Sequence, residues 1–141
     1  MLLTKEKLYS TKNSMTCDDI IQTDVYHFEQ EKLIKVKFIS SNSSRNQGIV
    51  FVANNGICLE GKLKQKTIII WENEHSSEFT LSCSQGVLNI FNVWEEERML
   101  GYHQSHSGMR LMKEKDLYIY SCNDFSINGD FTSIVFSVQI I

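Results

Sequence analysis

From Leu33 onward the chain consists of short β-branched and aromatic runs, each cut off by Gly, Asn, Ser or charged residues, and this spacing constrains the fold more than any other feature. Strands are predicted at residues 33–39, 48–53, 57–60, 67–71, 78–83, 87–94, 108–112, 117–122 and 131–141. No long stretch repeats apolar residues at the helical period, so helices do not organise the fold. Short alternating strands with frequent turns predict an all-β architecture, an antiparallel β-sandwich of about 8–10 strands.

The clearest alternation closes the chain: Ile134, Phe136, Val138 and Ile140 share one face, opposite Val135, Ser137 and Gln139. In 87–94 both faces carry bulk, which predicts a central strand. Asn54-Asn55-Gly56 lies between two apolar runs and predicts a hairpin, because Asn-Gly accepts the positive φ of tight turns. Before Leu33 the pattern is less regular. Thr16, followed by Asp18 and Asp19, is expected to cap a short helical turn, residues 25–28 to form an extra edge strand, and residues 40–47 a polar loop.

A chain of 141 residues without a linker or low-complexity tract is expected to form one domain, 1–141, with 1–30 its least regular part. Its 14 Lys and Arg are interspersed with 17 Asp and Glu, which gives no sustained positive field and excludes nucleic acid as a partner. Lys62, Lys64 and Lys66 share one face of an extended segment and suit a solvated or edge-protecting strand. No apolar run has the roughly 18 residues of a membrane span, and the first residues lack a signal-peptide core, so the expected setting is the cytoplasm, without membrane contact. Cys17, Cys58, Cys83 and Cys122 form no C-x-x-C pair and are read as reduced thiols.

Gly56-Ile-Cys-Leu-Glu60-Gly61, Ile70-Trp71, Asn92-Val93-Trp94, Cys122-Asn123-Asp124 and Asp130-Phe131 followed by Val135-Phe136 occur in an ordered series over residues 56–140. In this order the chain resembles a group of small bacterial proteins that share an N-x-W strand, a C-N-D turn and a terminal D-F-x-x-x-V-F strand. The resemblance implies a jelly-roll-like β-sandwich and no particular activity.

Asp124-Phe125-Ser126-Ile127-Asn128-Gly129-Asp130 places side-chain oxygens at alternate positions before a turn glycine, in the manner of a calcium loop. Asp124, Ser126, Asn128 and Asp130 are therefore candidate calcium ligands, with Glu60, Glu72, Glu95 or Glu96 as a distant carboxylate. Val135 stands where an EF-hand carries its bidentate Glu, which excludes an EF-hand. The same residues also serve an ordinary turn, in which Asn and Asp bond back to the backbone.

His103 and His106 lack nearby partners for zinc and are read as solvated. Cys83 or Cys122 beside a histidine would give a hydrolase or cysteine enzyme, but no spacing supports it. Trp71, Trp94, Tyr102, Tyr118 and Tyr120 invite a sugar-stacking surface, but Trp71 and Trp94 fit core closure better, while Tyr118 and Tyr120 share a strand face and are expected as an exposed pair. Asn92, Trp94, Asn123, Tyr118 and Tyr120 are the candidate ligand-binding residues. Together these features favour a non-catalytic binding module for a small ligand or a protein, an immunity-type partner included. Oligomers would form through strand edges.

Overall fold

The computed structural model describes residues 8–12, 15–102, 107–124 and 130–141, with side chains from Ile20 onward. Its strands are β1 (Leu8–Lys12), β2 (Met15–Phe28), β3 (Lys32–Ser41), β4 (Asn46–Leu59), β5 (Gln65–Trp71), β6 (Glu78–Cys83), β7 (Gly86–Glu96), β8 (Met99–Gly101), β9 (Gly108–Glu114), β10 (Leu117–Asn123) and β11 (Ile134–Ile140). The strands pair antiparallel in the ring β2–β9–β10–β11–β3–β6–β4–β7, and β7 returns to β2, so eight strands close into a barrel. Strands β1, β5 and β8 lie outside this ring, attached to β2, β4 and β7.

The all-β antiparallel expectation holds, but the sandwich, and with it the jelly roll, is replaced by a barrel. The reason is bending. Strands β2 and β3 are separated only by residues 29–31 and pair in turn with β7 (Asp24↔Ile90 to Phe28↔Gly86) and β6 (Lys32↔Cys83 to Lys37↔Glu78). Likewise β6 and β7 are separated only by Ser84 and Gln85, and both pair with β4. Long ribbons thus run through kinks that carry the sheet round until its ends meet, rather than breaking into two stacked sheets.

One of those kinks is Asn54-Asn55-Gly56, which is not a hairpin: β4 runs straight through it. Asn54 Oδ1 accepts the Val87 N–H at 2.8 Å and Asn55 Nδ2 donates to the Gln85 carbonyl at 2.6 Å, so both side chains tie the bend in β4 to the bend between β6 and β7. Gly56 takes φ +103° there. The reversal comes at Glu60-Gly61, with φ 47° and 81°, closed by the Lys62 N–H on the Leu59 carbonyl at 2.8 Å. Thr16 starts no helix; it lies in β2 and pairs with Thr11. Residues 25–28 are a ring segment paired with β7 rather than an edge strand, because the β-branched run Ile20, Ile21, Thr23 and Val25 sustains an extended chain.

Alternation fills the interior. Ile34, Val36 and Phe38 of β3, Ile49 and Phe51 of β4, Leu88 and Ile90 of β7, and Ile134, Phe136 and Val138 of β11 belong to one buried cluster. Each such side chain contributes about 1.5–3 kcal/mol by leaving water. The stacked rings of Tyr120 and Phe136, 5.0 Å between centroids, lie at its centre. No described helix is long and apolar enough to cross a membrane.

Candidate functional site

Pairing sets side chains of four segments together at one end of the barrel. Gln47 of β4 lies opposite Trp94 of β7, and Ile49 opposite Asn92. Residues 42–45, joining β3 to β4, are held against the segment before β11 by the Asn42 N–H on the Ser133 carbonyl at 3.1 Å. The Ser133 N–H in turn bonds the Cys122 carbonyl at 3.0 Å, which brings the end of β10, with Asn123 and Asp124, to the same place.

Asp124 is the hub. Its side chain is 1% exposed, and Oδ2 accepts the Ser43 hydroxyl at 2.8 Å, Gln47 Nε2 at 3.2 Å and Arg45 Nη1 at 3.3 Å. Its N–H donates to Ser133 Oγ at 3.2 Å. Arg45 reaches outward as well, with Nε 2.7 Å from Glu96 Oε2, and its pKa is raised chiefly by that hydrogen bond, then by the charges of Asp124 and Glu96. One guanidinium thus bridges a buried carboxylate and an exposed one. Beside it Asn92 Nδ2 donates to the Asn123 carbonyl at 3.0 Å, and the buried Gln47 Oε1 has no hydrogen-bond partner among the described residues.

The hairpin of β7 and β8 rises from this end. Glu96 pairs with Met99, so Glu97 and Arg98 form a two-residue turn, with φ 51° and 68°. Both central residues are left-handed, the conformation for which such turns ordinarily use Asn and Gly. Strand β8 carries Met99, 74% exposed, and Leu100, 50% exposed, and is followed by Tyr102, 48% exposed. The hairpin is anchored from within: the buried Trp94 covers Gly101 so closely that a Cβ there would lie 2.0 Å from Trp94 Nε1. Tyr102 rests against Phe91 with ring centroids 5.6 Å apart. Sequence reasoning had no signal for this hairpin beyond the acidic run Glu95-Glu96-Glu97.

Of the candidate calcium ligands, Ser126 and Asn128 lie outside the described residues, as do His103 and His106. Asp130 is exposed, accepts the Thr132 hydroxyl at 2.5 Å, and is held below the usual carboxylate range chiefly by that bond. Among the described residues no group of three His, Cys, Asp or Glu is arranged to hold a metal.

Of the candidate ligand-binding residues, Asn92, Trp94 and Asn123 are brought together at the barrel end, and all are buried. Tyr118 and Tyr120 are not an exposed pair: Tyr120 is fully buried and Tyr118 packs against the core, because their shared face is the barrel interior. There the Tyr120 hydroxyl donates to Asp24 Oδ2 at 2.5 Å and is hydrogen-bonded to the Tyr26 hydroxyl, while the Val25 N–H donates to Asp24 Oδ1 at 2.9 Å. Burial pushes both phenols well above their usual range. Sequence reasoning missed Asp24 and Tyr26, because neither stands in a recognisable pattern.

The thiols of Cys83 and Cys122 are buried, and burial pushes Cys83 up to about 11 and Cys122 well above its usual value. Neither supplies a thiolate nucleophile at neutral pH. His27 is exposed, and His75 stands edge-on to Phe79 with ring centroids 5.0 Å apart. Comparison with protein-family models, with curated proteins and with solved structures returns no match for this chain.

Proposed function

We propose that the protein is a non-catalytic interaction module whose contact surface is the β7–β8 hairpin, supported by the polar barrel end beneath it. The observation that carries this is the exposure of Met99 and Leu100 on the short edge strand β8 and of Tyr102 just after it. Adjacent exposed apolar side chains on a protected scaffold suit a partner surface. The left-handed Glu97-Arg98 turn adds to it, since strained backbone persists where the surroundings hold it and concentrates at binding sites. Glu95, Glu97 and Arg98 border these residues while Glu96 is paired with Arg45, so the complementary partner is a protein with an apolar centre and a border carrying charges of both signs.

In this arrangement Asn92, Trp94 and Asn123 support the hairpin rather than touch the ligand. Calcium is the weaker reading for the Asp124 end, because an ion on Oδ2 would have to displace or sit beside the guanidinium of Arg45. The reduced thiols of Cys58, Cys83 and Cys122 suit a reducing compartment, and the proposed setting is the cytoplasm.

The test is affinity capture from cells of the source with the wild type and with Met99→Ser/Leu100→Ser, followed by washes of rising salt. The expected result is a protein retained by the wild type, released progressively by salt, and absent from the variant. Retention of no protein, or equal retention by both baits, overturns the proposal.

A further inference from the structure

Strand β5 pairs only with β4 among the described residues, which leaves its other edge open. The Glu72 N–H bonds the Gln47 carbonyl at 2.9 Å and so continues the β4 ladder. By antiparallel alternation, the backbone groups of Ile68, Ile70 and Glu72 face β4, and those of Thr67, Ile69 and Trp71 face the open edge. Ile69, at the midpoint, is 38% exposed.

The sequence about Ile69 is self-complementary. Reading outward from it in Lys64-Gln-Lys66-Thr-Ile-Ile69-Ile-Trp-Glu72-Asn-Glu74, Ile68 matches Ile70, Thr67 matches Trp71, and Lys66 matches Glu72 with opposite charge. A second copy aligned antiparallel about Ile69 places each matched pair directly opposite, on the same face of the joined sheet. The edge groups of Ile69 then meet those of the copy's Ile69, and the Trp71 N–H meets the Thr67 carbonyl, the Trp71 carbonyl already accepting the Glu74 N–H at 3.2 Å. An in-register parallel alignment sets Lys66 on Lys66, and an antiparallel slip by two residues sets Lys66 on Ile70 in one direction and, in the other, Lys66 on Glu74 but Glu72 on Ile68. The charges that protect this edge from indiscriminate pairing therefore favour the register about Ile69, in which Lys66 and Glu72 are both matched.

We propose that β5 is a homodimerisation edge, pairing antiparallel with β5 of a second copy about Ile69, with reciprocal Lys66–Glu72 contacts. This surface lies across β4 and β7 from the β8 hairpin and is independent of it.

The experiment is sedimentation velocity over a dilution series, with charge exchange as the control. The wild type is expected as a concentration-dependent dimer. Lys66→Glu alone and Glu72→Lys alone place like charges opposite at both contacts and are expected to weaken it roughly ten- to hundredfold. An equimolar mixture of the two single variants restores both contacts and is expected to recover the dimer, as is the double variant K66E/E72K by itself. Recovery in the mixture cannot come from misfolded chains, so it separates an interface effect from loss of fold. A wild type that stays monomeric at every concentration, or a dimer indifferent to both charge reversals, overturns the proposal.

Discussion

Replacing Asp124 by Asn changes one atom at the most connected point of the barrel end, and its cost follows from the donors that converge there. Three donors reach Oδ2, from Ser43, Arg45 and Gln47, and the carboxylate is almost wholly buried. Hydrogen bonds to a charged group are worth about 1.5–3 kcal/mol and neutral ones about 0.5–1.5, so each donor loses part of its bond when the acceptor becomes an amide. The amide also brings a donor of its own into this group of donors. Removing one partner of a fully buried ion pair costs about 3–5 kcal/mol, but Arg45 keeps water and Glu96, which lowers that limit. The balance is a destabilisation of about 2–4 kcal/mol, or a fall in Tm of roughly 6–15 °C for a domain of this size. Thermal melts of chelated protein measure it directly. The same melts with millimolar calcium are expected to leave the wild type unchanged, because the guanidinium already occupies the place a cation would take. Asp124→Asn melting within about 2 °C of the wild type would refute the network as a structural hub. A calcium-induced rise that vanishes in the variant would refute its metal-free reading.

Glu97→Asn/Arg98→Gly gives the β7–β8 turn the residues its left-handed geometry favours and is expected to raise stability by about 1–2 kcal/mol in urea unfolding, at an unchanged slope. The same variant is expected to bind the partner more weakly, since it loses two side chains of the rim; a turn that gains nothing in stability is not strained. At alkaline pH the buried thiols and the buried phenols of Tyr26 and Tyr120 act with one sign. Cys83, raised by burial from 9.0 to about 11, keeps its proton in the folded state while the unfolded chain releases it. Its contribution is therefore fully present below pH 9 and is lost as the pH rises toward 11, with Cys122 acting in the same direction. Melts from pH 8 to 11 are expected to fall, less steeply in Cys83→Ala; a flat profile contradicts the burial of these thiols.

Most ring strands were legible because their alternation is a direct imprint of burial. Ile134, Phe136 and Val138 point inward in β11 as their spacing requires, and the bulk on both faces of β7 reflects its place between β4 and β2. Alternation does not say where a sheet bends, and that is why a sandwich was expected. Asn54-Asn55-Gly56 carries the local chemistry of a hairpin, yet its amides find a neighbouring strand's backbone to bond, and the chain continues instead of reversing. The β7–β8 hairpin escaped for the opposite reason. Its strand has three residues and its turn, Glu97-Arg98, contains neither Gly nor Asn. The local sequence about Asp124 points to a calcium ligand or to a turn residue bonded to backbone, whereas the donors its Oδ2 accepts are side chains that lie 77–81 residues earlier in the chain. No local pattern can announce such partners.

Closure of the ring explains where contact with other molecules is to be sought. A closed barrel satisfies every strand edge internally and so offers no backbone to a partner. The appended strands β1, β5 and β8 undo that protection, and the two whose side chains are described do so with opposite chemistry. Strand β5 pairs its open backbone with flanking charges of both signs, which favours the proposed copy of itself in the register that matches Lys66 with Glu72. Strand β8 is too short to offer much backbone and instead presents Met99 and Leu100 beside the Glu97-Arg98 turn, the surface proposed above for a protein partner. With the two edges on opposite sides of β4 and β7, pairing through β5 would leave β8 free in each copy. A dimer built that way displays two identical hairpins, and a partner with two matching sites would be held by avidity rather than by the strength of either contact alone.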